Sequence, residues 1–288
     1  MTSTVLVLGA TGKTGRRLVP RLAARGVTVR AASRHPATRH PDAGQVLFDW
    51  DRPGTHLAAL AGADAVFLVT ADGVEDTTSQ VGPFLLQAAR AGVRRVVVLS
   101  SLLVEFPNTP ADSGRHRLER QVRESGLQWT ILRPGFIDQN FSEGFLLSGI
   151  LAAGVVASAA GDGQVAMVDA GDIAAVAAAA LTEPGHAEAT YAVTGPEGLT
   201  FDAAAAIIAA AAGRPVRHQR IFPAELAGIL GRAGLPADYA ASVVASQVAI
   251  AGGHAATVTD VVRTVGGQDP VRFADYAASV HTWSGEPG

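Results

Sequence analysis

The chain has 288 residues, of which 48% are hydrophobic and 17% are charged, and its formal net charge is -3. This length and composition exclude a disordered or collagen-like chain, and the near-neutral charge argues against a nucleic-acid binder. The sequence has no cysteine, which excludes disulfide bonds, cysteine-ligated metals and thiol nucleophiles.

The first 134 residues alternate short apolar runs with amphipathic segments. The predicted strands are 5–8, 27–32, 45–48, 65–70, 95–101 and 128–132. The predicted helices are 14–24, 54–61, 77–91 and 111–124, and a glycine follows each of the four, at positions 26, 62, 92 and 126. This alternation predicts an α/β fold, a doubly wound parallel sheet of the Rossmann type, over residues 1–134.

The regular alternation ends near residue 134. The second half has predicted strands at 165–168, 190–194 and 216–220, and predicted helices at 200–212, 237–250 and 271–281. We expect a smaller C-terminal α/β substrate lobe over 135–288, with some elements returning to the main sheet. Two uncharged stretches, 144–161 and 239–259, are interrupted by glycine and polar residues, so we expect no membrane span. No secretory signal opens the sequence, and we expect a cytoplasmic protein.

A glycine-rich turn joins the first strand to the first helix. The sequence Gly-Ala-Thr-Gly-Lys-Thr-Gly spans 9–15 and gives G-x-x-G-x-x-G in the context that a dinucleotide-binding turn requires. A Walker loop is excluded, because its first glycine would fall on Val7, within the strand. We expect a pyrophosphate to bind at the helix N-terminus. The predicted loop residues are Gly9, Thr11, Gly12, Lys13, Thr14 and Gly15.

The choice between the two nicotinamide dinucleotides is expected just after the second strand. An acid there would bind the ribose hydroxyls, whereas this sequence has Ser33-Arg34 and no acid. The first 40 residues also contain eight basic side chains and no acidic one. The sequence therefore predicts NADP(H) as cofactor with Arg34 on its 2'-phosphate, aided by Ser33; an exposed loop arginine is the alternative.

Several motifs together resemble the NmrA-like branch of the atypical short-chain dehydrogenases, a group that includes NADPH-dependent quinone reductases and triphenylmethane reductases. The motifs are the glycine-rich turn at 9–15 and the segments 48–49, 65–69, 96–101, 129–136, 140–141, 168–174, 191–197 and 213–216. The resemblance implies that Asp49 accepts from the adenine amino group and that Thr70 and Ala71 line the cofactor cleft. It also implies that Pro134, Gly135 and Phe136 form a loop against the nicotinamide.

The carboxyl end of the fifth strand gives further candidates. Ser100 and Ser101 lie where a doubly wound sheet has its ligand crevice; strand termination and capping are the alternative. For Asp172, in a later motif, helix N-capping is an equal alternative to a role in the site.

One helix departs from the family pattern. The family often has a histidine or lysine four residues before a glutamate; aligned on Glu119, that position is Arg115, and His116 follows it. Arginine cannot exchange a proton near neutral pH, whereas histidine can. We therefore predict His116 and Ser101 as catalytic residues, with a solvated helix histidine as the alternative.

The sequence excludes the Tyr-x-x-x-Lys pair of many dehydrogenases, because Lys13 is the only lysine. The predicted function is therefore an NADPH-dependent reductase that transfers hydride to a hydrophobic, conjugated small molecule such as a quinone or an imine. Phe136, Phe141, Phe145 and the pair 146–147 are candidate cleft walls or ordinary core. A non-catalytic NADP(H) sensor, or an isomerase or cyclase on the same fold, remains an alternative. The histidines lack metal-ligand spacing, so we predict no metal.

Overall fold

A single seven-stranded sheet forms the centre of the computed structural model, which describes residues 3–36, 43–71 and 73–284. The strands of the first half are β1 (Thr4–Val7), β2 (Thr28–Ser33), β3 (Gly44–Leu47), β4 (Ala65–Leu68), β5 (Arg95–Leu99) and β6 (Gln128–Pro134). A seventh strand, β9 (Ala189–Val193), comes from the second half and pairs with β6. All neighbours are parallel, in the order β3-β2-β1-β4-β5-β6-β9. From β1 the chain adds β2 and β3 on one side, and it then returns to add β4 on the other side of β1. Folds of this kind bind ligands at such a switch point, between β1 and β4.

Helices cover both faces of this sheet. One face carries α1 (Gly15–Ala24) and α6 (Ala170–Thr182); the other carries α2 (His56–Leu60), α3 (Thr78–Arg90) and α4 (Gly114–Arg123). Each face has its own apolar core, and β1, β4 and β5 contribute to both because their successive side chains point to opposite faces. The predicted Rossmann-type α/β fold is confirmed.

The rest of the second half packs as a smaller unit beside the sheet. Its helices are α5 (Leu147–Ala153), α7 (Phe201–Ala212), α8 (Pro223–Arg232), α9 (Ala237–Ala251) and α11 (Phe273–Ala278). The short helix α10 (Val261–Thr264) packs instead on α6 and β9, in the core of the main sheet. Its short strands are β7 (Val155–Ser158), β8 (Val165–Ala166), β10 (Gly198–Leu199) and β11 (Arg217–Arg220). β10 pairs antiparallel with β8, and β11 pairs parallel with β7. A separate apolar cluster around Phe141, Phe201 and Trp283 holds most of this unit together.

The sequence did not predict α6. Every residue from Ala170 to Leu181 in this helix is buried, because it lies between the sheet, α1 and α10. A helix that is apolar on all sides shows no alternation of apolar and polar residues with a period of 3.6, so this pattern cannot identify it in the sequence. The N-cap is also Asp169, whose carboxylate accepts from the Gly171 N-H at 2.6 Å. The interpretation of Asp172 as the N-cap was wrong by one turn.

Across 3–36, 43–71 and 73–284, no helix is long and apolar enough to cross a bilayer.

Candidate cofactor and substrate site

The glycine-rich turn has the geometry of a phosphate-binding loop. Gly9 takes a φ of +62°, and the Gly12 N-H closes the turn on the Gly9 carbonyl at 2.9 Å. A Cβ on Gly15 would lie 2.1 Å from the Gly9 oxygen, so no other residue fits where α1 meets the turn. This close approach holds the start of α1 directly behind the loop.

The loop offers unused hydrogen-bond donors at the N-terminus of α1. Gly9, Thr11 and Gly12 are exposed, whereas Thr14 and Gly15 are buried. Among the described residues, the backbone N-H groups of Thr11, Thr14 and Gly15 donate to no acceptor. Such N-H groups at a helix start fit the diphosphate of a dinucleotide in both charge and geometry.

The end of β2 offers two more groups. The Ser33 hydroxyl is buried and has no hydrogen-bond partner in the described structure. Arg34 follows it, is exposed, and makes no ion pair within the described residues. An orphaned hydroxyl beside an uncompensated guanidinium suits a phosphorylated ribose, although the assignment of Arg34 stays a prediction.

The ends of β3 and β4 lie next to this turn. Asp49 follows β3, is partly buried, and accepts from the Asp51 N-H at 3.1 Å. Thr70 and Ala71 follow β4 and are partly buried; a Cβ on Gly9 would lie 3.7 Å from the Val69 Cβ. The structure therefore places the predicted adenine-side and cleft residues at the same edge of the sheet as the turn.

A buried ionic network fixes the ends of β5 and β6. Glu119 of α4 is completely buried, and Arg133 of β6 donates to its two oxygens at 2.9 and 2.6 Å. Ser100 also donates to Glu119, at 2.7 Å, and Arg123 donates at 2.9 Å. The hydroxyl proton of Ser100 is therefore used inside the protein, which leaves the Ser100 oxygen as an acceptor toward any ligand.

The charge of Glu119 is maintained by its partners. Burial by itself would raise the pKa of this carboxyl, but the hydrogen bonds from Arg133 and Ser100 and the charges of Arg133 and Arg123 lower it below its usual value. Glu119 is thus ionised at neutral pH. A pair of this kind serves as a rigid support beneath the crevice rather than as a proton donor.

The two predicted catalytic residues make local contacts. The Ser101 oxygen accepts from the Leu103 N-H at 3.2 Å and caps a 3₁₀ turn, Leu102–Glu105. The Nδ1 atom of His116 lies 2.9 Å from the hydroxyl of Ser113, the N-cap of α4. The structure shows no hydrogen bond between Ser101 and His116, and their catalytic roles stay predictions.

The predicted nicotinamide loop follows β6. Pro134 is buried and ends the strand, and the Gly135 N-H donates to the Val193 carbonyl of β9 at 3.0 Å. A Cβ on Gly135 would lie 2.9 Å from the Ala166 oxygen and 3.7 Å from Leu102, so this loop adjoins the 3₁₀ turn after Ser101.

The aromatic side chains after this loop divide into core and surface. Phe136 is partly buried and packs on Phe141, Phe145 and Phe201, with ring centroids 5.7, 6.4 and 5.4 Å apart. Phe141 is fully buried and Leu146 nearly so, whereas Phe145 is 40% exposed. Phe136 and Phe145 are therefore the aromatic side chains of this group with surface free to contact a ligand.

Sequence reasoning missed the polar contacts that join α1 to the segment after β6. Lys13 donates to the Asn140 side-chain oxygen at 2.8 Å, and Arg17 donates to Glu143 at 3.1 Å. Arg16 also pairs with Glu143. The opposite charges in the two segments were visible in the sequence, but their separation of more than 120 residues gave no signal of contact.

The geometry defines a class of protein, a dinucleotide-dependent enzyme with its ligand crevice at the carboxyl edge of a doubly wound sheet. Comparison with known families agrees, because the family model described as NAD(P)H-binding matches residues 9–184. The chain belongs to this family and is an NAD(P)H-dependent oxidoreductase.

Characterised relatives match along almost the whole chain. One is the (4-alkanoyl-5-oxo-2,5-dihydrofuran-3-yl)methyl phosphate reductase of Streptomyces griseus, 38% identical over 284 residues, with 95% of this chain and 96% of that protein covered. Another is the NAD(P)H azoreductase of Xenophilus azovorans, 36% identical over 279 residues, with the same coverage. The Escherichia coli NADPH-dependent quinone oxidoreductase, solved with NADPH, has a TM-score of 0.79 at 25% identity and covers 95% and 98% of the two chains.

These matches confirm the predicted resemblance, the fold, the enzyme class and the cofactor NADP(H). The described parts of the chain contain no cluster of three His, Cys, Asp or Glu side chains able to hold a metal ion.

Proposed function

We propose that the protein is an NADPH-dependent reductase of hydrophobic, conjugated small molecules. The observation that carries this proposal is a complete dinucleotide cradle beside a crevice that lacks a tyrosine-lysine acid pair. Two of the three tyrosines have other roles: Tyr191 pairs with His186 at 2.8 Å, and Tyr276 donates to Ser142 at 2.7 Å inside the C-terminal core. A site without a strong acid favours acceptors that take hydride readily.

The names of the relatives point to the same kind of acceptor. One reduces a dihydrofuranone that carries a second carbonyl group, another reduces azo compounds, and the third reduces quinones. Each of these compounds contains a reducible double bond in a conjugated system. An acceptor of this class is the substrate that we propose for this chain.

The residues of the chain divide the work of the reaction. The N-H groups at the start of α1 would hold the diphosphate, and Arg34 with Ser33 would hold the 2'-phosphate. Phe136 and Phe145 would cover the conjugated ring and exclude water from it. The bound dinucleotide supplies a hydride, two electrons in all, and the reduced product takes up a proton from solvent or the protein. We assign the proton to His116, a choice supported by the Ser113 hydroxyl 2.9 Å from Nδ1, which orients the ring and leaves Nε2 without a hydrogen bond to the described residues.

The test follows NADPH absorbance at 340 nm with a panel of quinones, azo dyes, triarylmethane dyes, imines and unsaturated lactones. We expect turnover of at least one class by the wild type, and a lower kcat for His116→Ala or Ser101→Ala wherever the enzyme supplies the proton. NADPH that binds tightly but is not consumed across the whole panel would contradict the proposal and favour the sensor.

Two glycine substitutions test whether NADPH binding depends on the loop. Gly15→Ala places a methyl group 2.1 Å from the Gly9 oxygen, and we expect NADPH binding at least about tenfold weaker because the loop must move. The control is Gly231→Ala, at a helical position where a Cβ meets no atom within 4 Å. Equal NADPH affinity in the two variants would show that the loop does not hold the cofactor.

A further inference from the structure

One arginine near the site carries a charge that the protein does not neutralise. Arg115 is partly buried and makes no hydrogen bond or ion pair through its guanidinium in the described structure. The other described arginines that share this lack of a partner are all exposed: Arg34, Arg52, Arg90, Arg120, Arg217 and Arg232. Arg115 is therefore the one member of this unpaired set that the rest of the protein partly covers.

The position of Arg115 follows from the buried face of α4. Residues four apart lie on nearly the same face of a helix, about 6 Å apart along its axis. Arg115 is therefore one turn before Glu119, whose carboxylate contacts Ser100 and Arg133 at the strand ends. The adjacent Gly114 is packed so tightly that a Cβ would lie 2.0 Å from the Glu75 oxygen of the loop before α3. Arg115 thus lies at the carboxyl edge of β5 and β6.

Three acidic side chains near Arg115 are paired with other arginines. Asp76 pairs with Arg117 at 2.9 Å. Glu119 and Glu105 both pair with Arg133, at 2.6 and 2.8 Å. No described carboxylate lies within 4.0 Å of the Arg115 guanidinium, so no ion pair within the described residues occupies its N-H donors.

The diphosphate of the cofactor is in the wrong place to supply that charge. Its cradle is at the end of β1, and β4 separates β1 from β5. Parallel strands are about 4.8 Å apart, so the two strand ends are about 10 Å apart. Arg115, on the helix that follows β5, is therefore on the β5 side of the crevice and not on the side of the diphosphate cradle.

We propose that Arg115 binds an oxyanion on the substrate, a carboxylate, sulfonate or phosphate attached to the conjugated system. This inference rests on the proposed reductase function and narrows its substrates to anionic ones. Guanidinium matches such groups through two parallel N-H donors. Arg115 is on this account a specificity residue, and it donates no proton in the reaction.

The test compares 1,2-naphthoquinone with 1,2-naphthoquinone-4-sulfonate, which differ in one anionic group. We expect Arg115→Gln to lower kcat/KM for the sulfonate by at least about tenfold, mainly through KM, and to change the parent quinone by less than about twofold. The matched control is Arg120→Gln, an exposed and unpaired arginine of the same helix. Added salt should weaken the preference of the wild type for the sulfonate.

A binding measurement separates this proposal from the reductase proposal. Calorimetry would titrate 2-naphthalenesulfonate, which accepts no hydride, into the enzyme with NADP⁺. Weaker binding to Arg115→Gln than to Arg120→Gln would support the anion site even if neither quinone is reduced, in which case the quinone-reductase assignment alone would fail. Three results would overturn the role of Arg115: an equal loss of kcat/KM for both quinones in Arg115→Gln, no loss of kcat/KM for either quinone that the wild type reduces, or no binding of 2-naphthalenesulfonate to the wild type.

Discussion

The ion pair between Arg133 and Glu119 gives a direct test of how the crevice is supported. The change is Arg133→Met, which keeps much of the side-chain volume and removes the guanidinium. Glu119 would then be a fully buried carboxylate with two donors left, Ser100 and Arg123. We expect this variant to be substantially less stable than the wild type at neutral pH.

The size of the effect follows from burial. Breaking a buried ion pair by removing one partner costs about 3–5 kcal/mol. The Ser100 and Arg123 contacts remain, so we expect about 3 kcal/mol, at the lower end of that range. Arg123→Met is the control: its side chain is 38% exposed and pairs with the same carboxylate, so its loss should cost less than about 1 kcal/mol.

The assay is urea unfolding of Arg133→Met, Glu119→Gln and the double variant, at pH 7 and at pH 3. In the Glu119→Gln background, Arg133→Met should lower the free energy of unfolding by about 2 kcal/mol less than it does in the wild type. This difference is the coupling energy between the two side chains. The pH dependence has a definite sign. Because the pKa of Glu119 is lowered in the folded state, its stabilisation is present above the ordinary carboxyl value and is lost as pH falls through the lowered one. The penalty of Arg133→Met should therefore shrink on acidification.

Additive effects of the two substitutions at pH 7 would refute this reasoning. A penalty for Arg133→Met that is the same at both pH values would also refute it, because the cost would then come from lost packing and not from the buried charge.

Two further predictions concern single side chains. Arg34→Ala should weaken NADPH binding by about 1–3 kcal/mol and leave NADH binding nearly unchanged. Calorimetry measures both affinities, with Arg52→Ala, a substitution of another exposed arginine, as the control. Equal losses of affinity for the two cofactors would contradict the assignment of Arg34 to the 2'-phosphate. Asp138 is fully buried with both oxygens unpartnered, and burial, then the charges of Asp169 and Asp172, raise its pKa well above the usual value. Because the pKa of Asp138 is raised in the folded state, the wild type loses stability as pH rises above the ordinary carboxyl pKa, whereas an asparagine does not titrate. The free energy of unfolding of Asp138→Asn should therefore increase relative to that of the wild type by on the order of 1–3 kcal/mol between pH 4 and pH 8. A difference between the two proteins that stays constant across that range would be inconsistent with a titrating Asp138.

Local chemistry made the first half of the fold predictable. Strands and helices up to residue 134 follow apolar runs and glycine stops, and Gly26, Gly62, Gly92 and Gly126 all adopt positive φ. The cofactor turn was equally clear, because the need for Gly15 arises from contacts with residues only six positions away. Patterns within one element, or between adjacent ones, are enough for such predictions.

Contacts between distant parts of the chain could not be predicted in the same way. Arg133 lies in an otherwise apolar strand, which indicates a buried partner, but nothing in the sequence names Glu119 as that partner. The all-buried α6 gave no period, and the Lys13 contact with Asn140 spans 127 positions. These features depend on the assembled sheet, which the sequence pattern describes only one strand at a time.

The placement of β9 bears on how this enzyme can change through evolution. A break after residue 134 would expose the edge of β6 and remove α6 from the core that it shares with α1. The two halves are therefore not modules that recombination can exchange between enzymes. New substrates are more readily acquired by replacing the segments along one rim of the sheet, while the shared interior is inherited whole.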